Sequence, residues 1–84
     1  MKITFKLYAT LTDYLPVGAE KNAIEIDVEE GVTLNQLIQR YRVPADMCHL
    51  VLVNGKFICD ADRDAPGHLL PGDTLAIWPP VAGG

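Results

Sequence analysis

The chain has 84 residues, with eleven acidic side chains against seven basic ones, a net charge of −4 and a hydrophobic fraction of 49%. Such a length suits one domain with a thin stability margin, because a domain this small buries only about 60–65% of the surface its unfolded chain exposes. The apolar content excludes a disordered chain, the lack of any Lys/Arg cluster excludes the electrostatic footprint of nucleic-acid binding, and no apolar run approaches the roughly 20 residues of a membrane span.

The segment Met1-Lys2-Ile3-Thr4-Phe5 enters a strand pattern directly, without the apolar core of a signal peptide, so a cytoplasmic location is expected. Ile3, Phe5 and Leu7 alternate with Thr4, Lys6 and Tyr8, which predicts a half-buried strand. Leu11 to Gly18 reads as a loop closed by Pro16 and Gly18. Ile24, Ile26 and Val28 then alternate with Glu25, Asp27 and Glu29, a second strand with an acidic outer face. The two strands are expected to pair as a hairpin with a long connection.

A helix follows. Thr33 and Gln36 have the spacing of a capping box, and Val32 and Leu37 that of a hydrophobic staple. Leu34, Leu37, Ile38 and Tyr41 recur at i, i+3, i+4 and i+7, which makes one apolar stripe. Arg40 and Arg42 are placed in the last turn, where cations suit the helix dipole, and Pro44 is expected to stop the helix by restricting Val43.

Leu50-Val51-Leu52-Val53 and Lys56-Phe57-Ile58-Cys59 flank Asn54-Gly55. Asn-Gly between apolar runs marks a two-residue type I′ hairpin, since both central residues need positive φ. The register then sets Val53 opposite Lys56, Leu52 opposite Phe57, Val51 opposite Ile58, and Cys59 opposite Leu50 in an apolar setting. Asp60 to Leu70 reads as polar and irregular, Pro71-Gly72-Asp73 as a turn, and Thr74 to Trp78 as a last strand with Leu75 and Ile77 on one face. The order strand, strand, helix, strand, strand, strand predicts an α+β layer with one helix on one face of a mixed sheet of about five strands. With the first and last strands parallel at its centre, this is a β-grasp, a ubiquitin-like fold. The domain spans residues 1–78, and residues 79–84 form a tail.

In the tail, Pro79-Pro80-Val81-Ala82-Gly83-Gly84, the paired prolines favour polyproline II. At about 3.1 Å per residue, six residues reach about 19 Å. Beyond the prolines the side chains shrink from Val to Ala to Gly-Gly, a shape that can thread a narrow channel and offer a carboxylate with no Cβ to hinder attack.

The whole chain resembles the MoaD/ThiS family of sulfur carriers, relatives of ubiquitin. Glu30-Gly31-Val32-Thr33-Leu34 is similar to the family's strand-to-helix passage and Val53-Asn54-Gly55 to its third hairpin. The specific part is Leu70 to Gly84, where an aromatic residue followed by Pro-Pro-Val-x-Gly-Gly is similar to the MoaD ending; ThiS endings usually lack the double proline. The resemblance implies chemistry at Gly84, with Gly83 beside it. A MoeB-like adenylyltransferase would activate the carboxylate with ATP. A desulfurase or rhodanese-like sulfur donor would then convert it to a thiocarboxylate, and a MoaE-like large subunit would pass that sulfur to a pterin precursor in molybdopterin synthesis. The chain would bind no cofactor and no metal, would catalyse nothing alone, and ATP would be used by the activating partner.

Docking is expected on the sheet face away from the helix. Leu52 and Phe57 share a face by register, Trp78 lies opposite Leu75 and Ile77 by alternation, and Pro79, Pro80, Val81 and Ala82 lead to the reactive end. The alternative for Trp78 is a cover on the core's edge. Cys48 and Cys59 read as two half-buried small hydrophobes, not cargo carriers, since negative neighbours and an apolar setting oppose a reactive thiolate. Asp60-Ala61-Asp62-Arg63-Asp64 opens like an EF-hand loop, but Ala65 and Pro71 stand where Gly and Glu are required. His49 and His68 lack metal-ligand spacing, and two cysteines cannot hold a [2Fe–2S] cluster. Three readings stay open beside molybdopterin synthesis: a sulfur carrier for thiazole, cysteine or tRNA thiolation, a ubiquitin-like modifier of lysines, and an interaction module with an inert tail.

Overall fold

The computed structural model describes residues 1–80. Five strands, β1 (Lys2–Leu7), β2 (Ala23–Asp27), β3 (Leu50–Val53), β4 (Lys56–Phe57) and β5 (Thr74–Trp78), form one sheet in the order β2-β1-β5-β3-β4. β1 runs antiparallel to β2 and parallel to β5, and β3 is antiparallel to both β5 and β4. Helix α1 (Leu34–Arg40) supplies Leu34, Leu37 and Ile38 to the core, where they join Phe5, Leu7, Val51, Leu75 and Ile77. Each such side chain contributes about 1.5–3 kcal/mol by leaving water. This is the α+β, β-grasp architecture that the element order predicts.

The helix begins as the sequence dictates. The Thr33 hydroxyl accepts from the Gln36 N–H at 3.0 Å, and the Thr33 N–H donates to Gln36 Oε1 at 2.9 Å. Its end differs from expectation. Arg42 adopts φ +60°, its N–H donates to the Gln39 carbonyl, and the Val43 N–H donates to the Ile38 carbonyl. These are the two bonds of a Schellman motif, so a left-handed Arg42 terminates the helix two residues before Pro44 acts. Arg40 alone lies in the last turn, and Arg42 lies beyond it. Tyr41, the C-cap, ends the stripe by packing against Phe5 at a centroid distance of 5.0 Å.

At the hairpin, Asn54 and Gly55 have φ of 51° and 82°, and Leu52 pairs with Phe57 and Val53 with Lys56. The Asn54 side chain adds a long-range clasp: its Nδ2 donates to Asp73 Oδ1 at 2.8 Å, and its Oδ1 accepts from the Thr74 N–H at 2.9 Å. Asp73 Oδ2 in turn accepts from the Leu70 N–H at 2.9 Å. One turn therefore fixes the start of the central strand.

Two loops carry more order than their composition suggests. Ala9–Tyr14 is a 3-10 helix that buries Leu11, within the segment read as a plain loop. Asp60–Asp62 forms another, and Arg63 after it is buried at 5% exposure. Arg63 Nε donates to the Ile58 carbonyl and Nη1 to the Cys48 carbonyl, both at 3.1 Å, while Asp60 pairs with the same guanidinium. The Arg63 carbonyl accepts from the Asn35 N–H at 3.1 Å, and Asn35 Nδ2 donates to Asp64 at 2.8 Å. The acidic loop is thus a clamp across the start of α1.

Candidate functional site

The candidate site is the outer face of the sheet around the end of β5. Strand alternation sends Phe5, Leu75 and Val53, then Leu7, Ile77 and Val51, into the core as adjacent rows. The intervening residues must face outward. Lys6, Ala76, Leu52 and Phe57 form one outward row across β1, β5, β3 and β4. The next contains Trp78 and Leu50, with Tyr8 following the last paired residue of β1. Phe57 remains 51% exposed, and Leu52, Leu50, Tyr8 and Trp78 are half-buried.

The face is divided electrostatically. On the β2 side, Lys2 Nζ lies 3.2 Å from Asp27 and 3.9 Å from Glu25, and Lys6 of β1 adds a further cation beside Ala76. On the β5, β3 and β4 side the outward residues Ala76, Leu50, Leu52, Phe57 and Trp78 carry no charge. The uncharged half is the part of the face that loses little on desolvation.

The tail leaves from this patch. Trp78 is the last residue of β5, and its carbonyl accepts from the His49 N–H at 3.0 Å. Its indole stacks on the Tyr8 ring, with centroids 3.9 Å apart and planes inclined by 7°. Pro79 is buried and Pro80 exposed. Leu52, Phe57, Trp78 and the root of the tail therefore meet on one face, as expected from register and alternation. Val81, Ala82, Gly83 and Gly84 lie outside the described residues. Trp78 is neither fully exposed nor an edge cover: one face of its ring is occupied by Tyr8.

Tyr8 escaped the sequence reading, although a signal was present. Aligning Leu7 with Ile77 in the parallel pair would have set Tyr8 beside Trp78. Arg63 also escaped, because a basic residue among aspartates looks solvated.

The cysteines divide. Cys48 is buried, its Sγ donates to the Pro44 carbonyl at 3.4 Å, and burial pushes its thiol up, against a partial downward pull from Arg63. Cys59 departs from the apolar setting expected of it. β4 ends at Phe57, so Cys59 leaves the sheet before it can oppose Leu50, and it stands exposed with Sγ donating to Asp62 at 3.3 Å. Glu29 is held below the usual carboxylate range by a hydrogen bond from its own backbone and then by Arg40, whose Nη2 lies 2.8 Å from Oε1. Among the described residues no group of three or more His, Cys, Asp or Glu is placed to hold a metal ion, and no helix is long and apolar enough to cross a membrane.

Together, a five-stranded β-grasp sheet, one helix and an outer face uncharged over β5, β3 and β4 define a small ubiquitin-like protein. Over residues 1–82 the sequence matches the Mut7-C ubiquitin family, and the chain belongs to that family. Among curated proteins none matches it. Solved structures share the fold. SAMP1 from Haloferax volcanii is 22% identical with a TM-score of 0.67, the alignment covering 100% of both chains. The HVO 2177 protein of Haloferax volcanii is 23% identical with a TM-score of 0.72, covering 100% of this chain and 87% of the other. A chain in the complex of subunits 1 and 2 of the molybdopterin-converting factor from Helicobacter pylori is 17% identical with a TM-score of 0.58, covering 100% of both.

Proposed function

We propose that this chain is a sulfur carrier acting through Gly84 as its terminal carboxylate, and that the carried sulfur serves molybdopterin synthesis. The observation that carries the proposal is the arrangement at the end of β5. The central strand delivers Trp78-Pro79-Pro80 to the rim of an uncharged, aromatic face, and the sequence continues Val81-Ala82-Gly83-Gly84. A partner seated on that face would receive the tail in its own active site.

The chemistry belongs to the partners. In a MoeB-like adenylyltransferase an oxygen of the Gly84 carboxylate attacks the α-phosphorus of ATP, and pyrophosphate leaves. The terminal sulfur of a donor persulfide, from a desulfurase or rhodanese-like protein, attacks the acyl carbon and AMP leaves. A thiol then reduces the resulting acyl disulfide, becoming part of a new disulfide and freeing the thiocarboxylate. Small ubiquitin-like chains of this class are not catalysts themselves. Subunit 1 of the Helicobacter factor is found in complex with subunit 2, which supports a MoaE-like large subunit as the acceptor's host. The likeness to small archaeal modifier protein 1 supports a second reading, in which activated Gly84 is joined to lysines of other proteins.

The test incubates the chain with a MoeB-type enzyme, ATP and a persulfide donor, and measures intact mass. One oxygen replaced by sulfur at Gly84 is expected, and deletion of Gly84 is expected to abolish the change while leaving the melting temperature unaltered. Full modification of the truncated chain would overturn the proposal. Sulfur appearing on a pterin precursor with a MoaE-like subunit supports the molybdopterin reading; isopeptide-linked lysines without sulfur transfer favour the modifier.

A further inference from the structure

We infer that Tyr8 is a positioning residue for the chemistry at Gly84: its ring, stacked on Trp78, fixes the direction in which the C-terminal segment leaves the sheet. The inference rests on the proposed use of Gly84 as the reacting carboxylate.

The root of the segment is held from both neighbouring strands. β1 contributes the Tyr8 N–H, which donates to the Ile77 carbonyl at 3.1 Å, and the Tyr8 ring, parallel to the indole of Trp78 within 7° at 3.9 Å. From the β3 side, the His49 N–H donates to the Trp78 carbonyl at 3.0 Å. Pro79 follows, buried and with φ restricted by its ring. The backbone bonds fix where Trp78 sits. The stack fixes its side chain, and through the side chain the face of the sheet past which Pro79 and Pro80 emerge.

Tyr8 is itself held in place. It precedes Ala9, whose φ of +52° turns the chain out of β1, and it is the N-cap of the 3-10 helix that buries Leu11. The Leu11 N–H donates back to the Tyr8 carbonyl at 3.0 Å. A ring mounted on a core-anchored turn makes a rigid support, and aromatic pairs add stabilisation beyond their buried area. Gly84 follows Pro80 by four positions in the sequence, so the direction set at the root bears on where a partner first receives the segment. Misplacement of a reacting group by about 1 Å can cost on the order of 100-fold in rate.

A docking residue and a positioning residue differ in kinetics. Losing a docking contact raises KM and leaves kcat in place; losing a positioning contact lowers kcat with the partner still bound. The experiment compares wild type, Tyr8→Phe and Tyr8→Ala in two measurements. The first is NMR relaxation of the Trp78 indole and backbone N–H groups, which needs no partner. The second is single-turnover formation of the Gly84 adenylate with a MoeB-type enzyme and ATP, titrated to saturation. We expect Tyr8→Phe to match wild type in both. Tyr8→Ala should loosen the indole and lower the saturated rate roughly tenfold, with the half-saturating enzyme concentration changed less than twofold. An unchanged indole in Tyr8→Ala overturns the inference whatever the activity. So does a saturated rate equal to wild type, and so does a loss confined to half-saturation, which would make Tyr8 a docking residue. If wild type forms no adenylate while the indole loosens as expected, the role of Gly84 fails and the assignment of Tyr8 to its chemistry falls with it, leaving only the anchoring of Trp78.

Discussion

Replacing Arg63 tests whether the acidic loop is a structural clamp. Arg63→Met keeps most of the apolar stem and removes both donors to the Ile58 and Cys48 carbonyls. A buried carbonyl left unpaired costs about 1–3 kcal/mol. Against that, the variant no longer confines a guanidinium at 5% exposure, and part of its desolvation cost is recovered. The net is about 3 kcal/mol of destabilisation. A domain of this length shifts by about 4–8 °C per kcal/mol, so the melting temperature should fall by about 12–24 °C. Asp60→Asn is the control. The Asp60 side chain is 92% exposed, solvent screens its ion pair with Arg63, and the loss should stay within about 1 kcal/mol. Thermal melts followed by circular dichroism would be read beside urea unfolding, whose slope shows whether both variants unfold the same surface. A melting temperature for Arg63→Met within about 4 °C of wild type would refute the reasoning, since the two carbonyls would then be served equally well without the guanidinium.

On the outer face, Leu52→Asp sets a charge between Ala76 and Phe57 and should weaken partner binding by about 2 kcal/mol or more. Pull-down titration beside a melt checks this, and a collapsed melt with unchanged affinity of the folded fraction would make Leu52 a core residue. For Cys48, burial raises the folded-state thiol pKa, so the native state keeps its proton after the unfolded chain has lost it. Stability is then full below the unfolded value of about 8.5 and declines as pH rises above it. Cys48→Ala should flatten that decline in urea titrations run on both sides of the unfolded pKa.

The elements that were legible in the sequence are those whose cause is local. The Thr33–Gln36 box needs three residues of spacing, and Asn54-Gly55 needs only two residues able to take positive φ. From these and the alternation of β1 and β5 the order of strands follows, and with it the shared face of Leu52, Phe57 and Trp78. What was illegible has causes that the residue types do not display. Arg63 is buried because carbonyls five and fifteen residues away accept its protons. The end of α1 moved because Arg42 takes a left-handed conformation that two backbone bonds reward, a preference its side chain does not advertise. Cys59 departs from its expected place because the chain leaves the sheet after Ile58, whose N–H still donates to the Val51 carbonyl at 2.9 Å as the register requires.

The same distinction bears on the role proposed for the tail. A glycine-ended segment alone would be a poor reactant, because a free chain end samples directions that few active sites accept. Here the centre of the sheet gives rise to the segment, and β5 is flanked by β1 and β3 along its length. Any tilt of Trp78 must therefore disturb the ring stack with Tyr8 or the hydrogen bond from the His49 N–H before it can redirect Pro79. An edge strand would supply only one such neighbour. The central parallel pairing of first and last strands thus does more than close a core. It is the reason a small domain can present one chain exit beside a face that is uncharged over β5, β3 and β4.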